Sequence, residues 1–566
     1  MGTESTTAVA VPAVERVADV RALSSARVRY LALAGLILIA LALVVVQFFA
    51  TGTYWSDDAF ISFRYAQNLA DGRGPVWNPG ERVEGYTNFG WMLLIAGALK
   101  TGVDATHASR ALGLLATAGT LALVPVLASQ LRTPWTWRWW LVAGGAIVAL
   151  GLNTGFSLWT FAGLETPATV LFITAGITLH LWEERTERLP LASAFAFLAA
   201  ALTRPDAVVV WGVTALFKLA RLLGDDRREQ VVPLAMWGAA FLVPFGAYWL
   251  WRWSYYGEFF PNTYYLKTGR NSRIIERGVE YTRDFFLIYG AVLCLPALLA
   301  AWRERLTPHR PALYMLAVLA AWCLYVIDAG GDWMPYFRFF APMLPMLYVL
   351  IGHGAVEAGD ALAERGVASR LAAGVAGAIV VAVAVWAIAP FDYSGARNPQ
   401  GLPVNSKGFA GAVDLRVGDE LGAWMDANIP AEWTVATIAS GMLPYYTEQR
   451  YIDMLGVNDE HIAHLDVPLG YGPAGHEKHD GGYVISRKPE IIWIGLNIEK
   501  RARDTVEKYY EPYTIQTPVI RDITGNLYLW LLYRPVTVPM RYGYFNFLLR
   551  NDLPSPAEAC PAEGCP

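Results

Sequence analysis

Long uncharged runs of apolar residues occur along the first 390 residues of the chain. The first run, residues 31–49, contains 19 residues without a charge, about the length that a helix needs to cross the hydrocarbon core of a membrane. The apolar residues are continuous and do not follow an amphipathic period, so these runs predict membrane-spanning helices. We predict eleven spans, at residues 31–49, 107–131, 139–153, 167–182, 189–203, 205–221, 231–251, 285–301, 311–327, 335–353 and 371–389.

Basic residues between the runs predict the orientation of the spans. Arginines precede the first span, which places residues 1–30 in the cytosol. This span is longer than the apolar region of a cleavable signal peptide, so we expect it to be retained. Pro205 leaves two interpretations open, one kinked helix or two short spans, and only two spans place most short-loop cations on the cytosolic side. Those cations are Arg132, Arg138, Arg185, Arg188, Lys218, Arg221, Arg227, Arg228, Arg303, Arg305, Arg310, Arg365 and Arg370.

The chain becomes more polar after Pro390 and contains no further spanning run. Residues 413–428 have the spacing of an amphipathic helix, and residues 434–439 and 491–495 resemble short buried strands. We therefore predict three regions: a cytosolic segment at 1–30, a membrane domain at 31–390 with its first external loop at 51–106, and an external α/β domain at 391–566. Cys560 and Cys565 in this tail are close enough in sequence to form a disulfide in an oxidising compartment.

The composition excludes two classes of protein. Of the 566 residues, 55% are hydrophobic and 17% are charged, whereas a soluble protein carries about 25% charged residues. A water-soluble globule is therefore excluded. The formal net charge of −4 provides no basic surface for nucleic acid.

Two adjacent acids, Asp57 and Asp58, follow the first span directly. We expect Ser56 to cap a helix that begins with these acids, and helical spacing places Asp57, Arg64 and Asn68 on one face of it. The alternative is that both acids only complement the helix dipole. A long loop rich in glycine and proline follows and includes Glu84, and structured loops of this length are usually functional.

Three further polar clusters share the predicted external side. They contain Glu165 in a Gly-Leu-Glu-Thr segment, Arg204 and Asp206 around Pro205, and Asp332 with Arg338 before the tenth span. The external loop 252–284 adds six cations, Lys267 among them, which we interpret as an anion site. Each cluster alone has a structural alternative, a capped helix end or a paired interfacial charge. Together they predict a site that deprotonates a hydroxyl group with a carboxylate and holds a phosphate with cations.

These loops resemble the polyprenyl-phosphate-dependent glycosyltransferases of the GT-C superfamily. The acid pair after the first span, the first loop from Asn68 to Glu84, and the motifs at 163–166 and 204–206 are most similar to the AftB arabinofuranosyltransferase family. The resemblance implies a GT-C-like, polytopic α-helical membrane protein of the bacterial inner membrane with an external active site. It also implies a decaprenyl-phosphoryl arabinofuranose donor, which is a membrane lipid, and a cell-wall glycan acceptor.

The predicted site follows from the residues and the resemblance together. Asp57 and Asp58 are expected to be catalytic, and Arg64, Arg204, Lys267 and Arg338 to bind the donor phosphate. Asn68, Glu84, Glu165, Asp206 and Asp332 are expected to bind substrate. The residues do not indicate whether the reaction inverts or retains the configuration of the anomeric carbon. The resemblance makes a retaining route with a nucleophilic carboxylate one of the alternatives.

No cofactor or metal is predicted to be required. Four histidines, His461, His464, His476 and His479, lie within 19 residues of the tail and leave a divalent-metal site as an alternative to a solvated loop. Three alternative functions also remain: a polyprenyl-phosphate-mannose-type transferase that acts on protein or lipid, a transporter of lipid-linked sugars, and a non-catalytic subunit whose tail binds glycan.

Overall fold

The computed structural model describes residues 13–51, 54–186, 191–223, 227–269, 271–305, 309–388, 413–495, 498–509 and 517–556. Within these ranges a helical membrane region is followed by a C-terminal domain that contains a β-sheet, so the predicted fold class is confirmed. The predicted boundary at residues 390–391, and both Cys560 and Cys565, lie outside the described residues.

The membrane region is built from helices of very different lengths. They are α1 (Ala13–Thr51), α2 (Asp57–Ala70), α3 (Phe89–Lys100), α4 (Ala105–Ala128), α5 (Trp137–Leu152), α6 (Thr154–Phe161), α7 (Thr166–Thr186), α8 (Leu191–Thr203), α9 (Val208–Ala220), α10 (Arg227–Tyr256), α11 (Asn262–Lys267), α12 (Ser272–Ile288), α13 (Ala297–Glu304), α14 (Pro311–Asp328), α15 (Leu344–Glu364) and α16 (Ser369–Ile388). Short 3₁₀ helices lie at Pro205–Ala207, Arg221–Leu223, Ala291–Cys294 and Pro335–Met343.

Six of the described helices are long and apolar enough to cross a membrane, and two bent pairs raise the number to eight. The pairs are α5 with α6, bent by 62°, and α12 with the segment that contains α13, bent by 73°. The eleven predicted segments all fall on helices, but α7, α8 and α9 do not meet the same criterion. Helices α8 and α9 have 13 residues each and span about 20 Å, less than the hydrocarbon thickness of about 30 Å.

Helices α7, α8 and α9 nevertheless connect the two ends of the bundle. Arg204, between α8 and α9, forms an ion pair with Glu165 just before α7. At the other end of these helices, Lys218 and Arg221 both pair with Glu184. The 3₁₀ turn that begins at Pro205 separates α8 from α9, because proline removes a backbone donor and the preceding residue is extended. Two short helices are therefore present rather than one kinked helix.

The tail forms a five-stranded mixed sheet with helices around it. Its strands are β1 (Thr434–Thr437), β2 (Arg450–Asp453), β3 (Ile491–Trp493), β4 (Tyr533–Met540) and β5 (Gly543–Arg550), in the order β2-β1-β3-β5-β4. Strand β1 is parallel to β2 and β3, whereas β5 is antiparallel to β3 and β4. Its helices are α17 (Leu415–Asn428), α18 (Met442–Tyr446), α19 (Glu460–Ala463), α20 (Gly481–Ser486), α21 (Thr517–Thr524) and α22 (Leu527–Leu532).

The tail shares a hydrophobic core with the first loop and α2. Phe60 and Trp77 from the membrane region belong to the same buried cluster as Leu421 of α17 and Phe547 of β5. Burial of apolar surface contributes about 25 cal/mol per Å², so this shared core holds the tail against the start of α2. The mutual packing fixes the position of the tail beside the acids that follow α1.

Candidate active site

Helix α2 begins with the two acids, as predicted, but its cap differs from the prediction. The Ser56 side chain forms no capping hydrogen bond, and its hydroxyl lies 3.9 Å from the Met334 sulfur instead. Asp57 and Asp58 occupy successive positions, about 100° apart around the helix axis. Their carboxylates therefore face different surroundings.

Asp57 attaches the tail to α2. Its two carboxylate oxygens accept hydrogen bonds from the backbone N–H groups of Gly441 (3.0 Å) and Met442 (2.8 Å). A Cβ atom at Gly441 would overlap the carbonyl oxygen of Asp57, so only glycine permits this approach. Burial raises the pKa of the Asp57 carboxyl to about 7, and the two backbone N–H groups oppose that rise.

Asp58 is half-buried and faces the other polar loops. Burial raises the pKa of its carboxyl, and the positive charges of Arg338 and Lys267 oppose that rise. Among the described residues, no side chain or backbone group donates a hydrogen bond to the Asp58 carboxylate. The neighbourhood thus keeps a carboxylate beside two cations with its oxygens available to a ligand.

Arg338 lies in a turn held by Asp332. Its Nε and Nη2 atoms donate to the two Asp332 oxygens at 2.7 and 3.2 Å, and both side chains are buried. Tyr336 and Phe337 between them have positive φ angles of 57° and 51°, a conformation that costs of order 1–3 kcal/mol per residue and persists only where the surroundings impose it. The strained turn and the bidentate pair fix the guanidinium beside Asp58.

Lys267, the last residue of α11, is the second cation near Asp58. Within the ranges that the structure describes, its ammonium group forms no hydrogen bond and no ion pair. Burial by surrounding elements lowers its pKa, the charge of Arg338 lowers it further, and Asp332 and Asp58 oppose the change. The residue is nevertheless exposed to solvent. A cation without a protein partner is suited to bind an anionic group.

Arg204, Glu165 and Asp206 form one network at the edge of the site. Arg204 donates to Glu165 at 3.0 Å and to Asp206 at 2.7 Å, and Asn88 donates to the second Glu165 oxygen at 2.8 Å. Gly163, with a φ of 89°, packs directly on Trp55 and brings the Glu165 segment to the start of α2. The structure thus brings these loop residues together at one end of the bundle.

Asp57 was predicted to be catalytic, but its carboxylate binds the tail, and three further predicted site residues also have structural roles, so these four assignments are corrected. Arg64 donates to the backbone carbonyls of Trp77, Pro444, Thr447 and Gln449. Asn68 donates to the carbonyls of Val76 and Trp77, and Glu84 forms a buried ion pair with Arg252. Asp57, Arg64 and Asn68 do share one face of α2, but that face contacts the tail and the first loop. Arg64, Asn68 and Glu84 each bind protein groups through these contacts.

Arg64→Leu is expected to lower the free energy of unfolding by about 3 kcal/mol or more, because each buried carbonyl left without a donor costs about 1–3 kcal/mol. The exposed Arg73 on the same loop provides the matched control, Arg73→Leu. Thermal unfolding of both variants measures the difference. Equal melting temperatures for the two variants would contradict the structural role of Arg64.

The tail contributes a residue to the site in a role that sequence reasoning did not identify, since His476 was considered only as a metal ligand. The ring of His476 contacts that of Trp333 at a centroid distance of 4.4 Å, and burial lowers the His476 pKa to about 4, so the ring is neutral at pH 7. Arg277 on α12 donates to the carbonyls of Gly330 and Gly472, both at 2.9 Å. These contacts fix the glycine-rich loop 469–477 over the Asp332 turn. The glycines of this loop and His476 were its only sequence signals.

Trp159 on α6 is a second residue that the sequence did not single out. Its ring centroid lies 5.5 Å from the guanidinium carbon of Arg338, and the residue is 1% exposed. Its indole N–H has no acceptor among the described atoms. A buried donor of this kind is available to a ligand, because leaving it without a partner costs free energy.

The four tail histidines do not come together. His461 contacts Asp480 at 3.0 Å and His479 contacts Asp522 at 2.9 Å, while His464 packs on Tyr265 and His476 on Trp333. In the part of the chain described by the structure, no group of three or more His, Cys, Asp or Glu residues is arranged to hold a metal ion.

These features define a polytopic helical membrane protein with a polar site between its first loops and a C-terminal α/β domain. Residues 410–533, most of that domain, match the family model described as "Domain of unknown function (DUF8728)". The match covers α17 and the first three strands of the sheet.

Two curated proteins similar to this chain are both named terminal beta-(1->2)-arabinofuranosyltransferase. The Corynebacterium glutamicum protein is 29% identical over 52% of this chain and 47% of its own length. The Mycobacterium tuberculosis protein is 26% identical over 52% of this chain and 51% of its own length. The chain thus spans about half the length of the curated relatives it matches. This similarity confirms the resemblance to arabinofuranosyltransferases that the loop motifs indicate.

One similar solved structure is that of ArnT from Cupriavidus metallidurans bound to undecaprenyl phosphate. It is 13% identical with a TM-score of 0.47, and the match covers 74% of this chain and 86% of that one.

Proposed function

We propose that the protein is a membrane glycosyltransferase that moves arabinofuranose from a polyprenyl-phosphate carrier to a cell-wall glycan. One observation carries the proposal: the Asp58 carboxylate and the Lys267 ammonium form no hydrogen bond with the described residues, and the charges of Lys267 and of the fixed Arg338 both act on Asp58. The names of the curated relatives support the choice of sugar. We place the protein in a bacterial inner membrane with this site on the external face, as the cation distribution predicts.

The reaction assigned to the site exchanges one bond at the anomeric carbon. The acceptor hydroxyl gives its proton to Asp58, and its oxygen forms the new bond to C1 of the sugar. The bond from C1 to the phosphate oxygen breaks, and the polyprenyl phosphate leaves with the electron pair. Lys267 and Arg338 bind the charged leaving group, so it departs without protonation by a strong acid.

Each neighbouring residue has a positioning role in this proposal. Asp332 orients the Arg338 guanidinium through the bidentate contact, and Glu165 with Asp206 orients Arg204 at the edge of the site. The Trp159 N–H is a further donor for the phosphate or the sugar ring. The neutral His476 limits access of water above the Asp332 turn.

A second route uses the same carboxylate as a nucleophile. Asp58 then attacks C1 first, and the bond from C1 to the phosphate oxygen breaks as the polyprenyl phosphate leaves with the electron pair. In a second step the acceptor oxygen displaces the Asp58 carboxylate, which takes the hydroxyl proton as it is released, and the anomeric configuration is retained. The single-step route inverts the configuration. NMR of the product linkage, compared with the configuration of the donor, decides between the two routes.

The direct test is product analysis with the purified full-length chain. Decaprenyl-phosphoryl arabinofuranose and a linear arabinofuranosyl oligosaccharide should give a product heavier by one pentose. Decaprenyl-phosphoryl mannose in a parallel reaction tests the mannose-type alternative. A transporter gives no covalent product with either donor, and that outcome would refute the proposal.

Lys267→Met is expected to raise the donor KM by about 10-fold or more, because a charge-assisted contact contributes about 1.5–3 kcal/mol. The charge of Lys267 lowers the pKa of Asp58, so its removal should also move the acidic limb of the kcat/KM profile to higher pH. Steady-state kinetics with donor varied, repeated across pH, measures both effects.

The exposed Lys100 at the end of α3 gives the control variant Lys100→Met. This variant should change neither parameter. A Lys267→Met protein with unchanged donor KM and an unmoved acidic limb would remove Lys267 from the phosphate site.

A further inference from the structure

A groove of about 780 Å³ lies between the first loop and the tail. Its walls are residues 81–83 of the first loop, residues 450–452 of β2, residues 458–461 and 464–466 around α19, and Tyr483 and Arg487 at α20. None of the residues assigned above to the chemical step lines it. The volume lies within the range of about 300–1,000 Å³ that is usual for ligand sites.

The lining of the groove combines apolar surface with many polar side chains, and its charges are close to balanced. Four carboxylates and three guanidinium groups line it, and Glu460, Asp466 and Arg487 among them are exposed to solvent. A polyanion requires a surplus of cations, and a lipid chain requires an apolar wall. Alternating hydrogen-bond donors and acceptors of nearly cancelling charge instead match a neutral, polyhydroxylated ligand.

An ordered aromatic surface lies in the wall of the groove. The Tyr483 ring stacks on His461 with a centroid distance of 4.0 Å and an interplanar angle of 20°. The Tyr483 hydroxyl donates to Asp459 at 3.0 Å and accepts from Arg487 at 3.0 Å. These contacts hold the ring in place before any ligand arrives, which reduces the entropic cost of binding.

Helix α11 joins this groove to the active site. His464 at the edge of the groove contacts the Tyr265 ring at 4.2 Å, and Lys267 lies two residues further along the same helix. At the start of α11, Asn262 donates to the carbonyls of Gly456 and Val457, next to the groove wall. The helix has six residues and a length of about 9 Å. A chain molecule bound in the groove therefore lies close to the reacting end of the site.

We infer that this groove binds the internal residues of a neutral oligosaccharide whose end reaches Asp58. The identification of this oligosaccharide as the acceptor rests on the proposed function. The binding itself depends only on the lining of the groove. Specificity for long acceptors would then arise in the tail, away from the residues that perform transfer.

The test measures binding and transfer separately on the full-length protein. Isothermal titration of a linear arabinofuranosyl octasaccharide is performed on the wild type, on Asp58→Asn, and on Arg487→Ala and Glu460→Ala. We expect Asp58→Asn to bind with the wild-type Kd and each groove variant to bind at least 10-fold more weakly. In transfer assays, the groove variants should lower the ratio of kcat/KM for the octasaccharide to that for a disaccharide by a similar factor.

Arg521 on α21 is exposed and lies outside the groove, so Arg521→Ala is the matched control and should leave the Kd and the ratio unchanged. Thermal unfolding verifies that each variant is folded, and the two single groove variants provide independent tests. Wild-type Kd values in both folded groove variants would overturn the inference, as would competition by inorganic polyphosphate. The two proposals can also fail separately. If the groove variants lose octasaccharide binding but the wild-type protein transfers sugar from no donor, the groove is supported and the proposed function is refuted.

Discussion

Asp58→Asn is expected to lower kcat for glycosyl transfer by about 100-fold or more, because the amide cannot accept the proton of the acceptor hydroxyl. The side chain is half-buried and has no protein partner in the described ranges, so the melting temperature should change little. Asp57→Asn is the matched comparison, since it makes the same chemical change one residue earlier. Single-turnover kinetics with saturating donor and acceptor measures the chemical step in both variants.

The two variants should affect different properties: Asp58→Asn mainly turnover, and Asp57→Asn mainly stability. Asp57 accepts two backbone hydrogen bonds from the start of α18, so Asp57→Asn should lower thermal stability while the folded fraction retains turnover. Wild-type kcat in Asp58→Asn would place the chemistry on another carboxylate, with Asp332 the next candidate. Equal loss of kcat in two equally stable variants would contradict the separation of roles.

Gly441→Ala is expected to release the tail from α2, which would abolish most transfer and lower the melting temperature. A methyl group at this position overlaps the carbonyl oxygen of Asp57, and overpacking of this kind costs about 1–3 kcal/mol. Loss of the two hydrogen bonds to a charged carboxylate adds about 1.5–3 kcal/mol each. Limited proteolysis of the tail and differential scanning calorimetry measure the release directly.

Gly482 on α20 provides the control for this substitution. A Cβ atom there meets its nearest neighbour, an Asp480 oxygen, at an ordinary contact distance of 3.5 Å. Gly482→Ala should therefore leave proteolysis, stability and transfer close to wild type. Protection of the tail in Gly441→Ala equal to that in Gly482→Ala would show that the Asp57 contact does not fix the tail.

The sequence predicted the membrane region well because its signals are local. Uncharged runs and turn residues identified eleven segments that overlap described helices, although two of them, 285–301 and 335–353, contain non-helical backbone. The break at Pro205 follows from the chemistry of proline itself. In the tail, α17, β1 and β3 were predicted from their own apolar patterns. Strands β2, β4 and β5 were missed, since their hydrophobic patterns are less distinct and their pairing depends on distant segments.

The sequence predicted only some residues of the candidate site correctly. The acids and cations at Asp58, Lys267, Asp332 and Arg338 were identified from position and charge, and the structure brings them together. Arg64 was assigned to the donor phosphate because its spacing places it on the face of Asp57. That spacing was correct, but the sequence could not show that this face contacts the tail.

The sequence by itself determined the apolar helices, the acid pair after the first of them and the loops that carry charge, because these properties depend on neighbours along the chain. Tertiary structure alone decided which acid of the pair faces the cations. Adjacent helical residues point about 100° apart. The tail packs against one side of α2, so Asp57 binds the backbone of Gly441 and Met442, whereas Asp58 faces the site. The same packing directs Arg64 to backbone carbonyls of the tail and forms the groove. Neither could be predicted from the sequence, because each depends on contacts between residues nearly 400 positions apart in the chain.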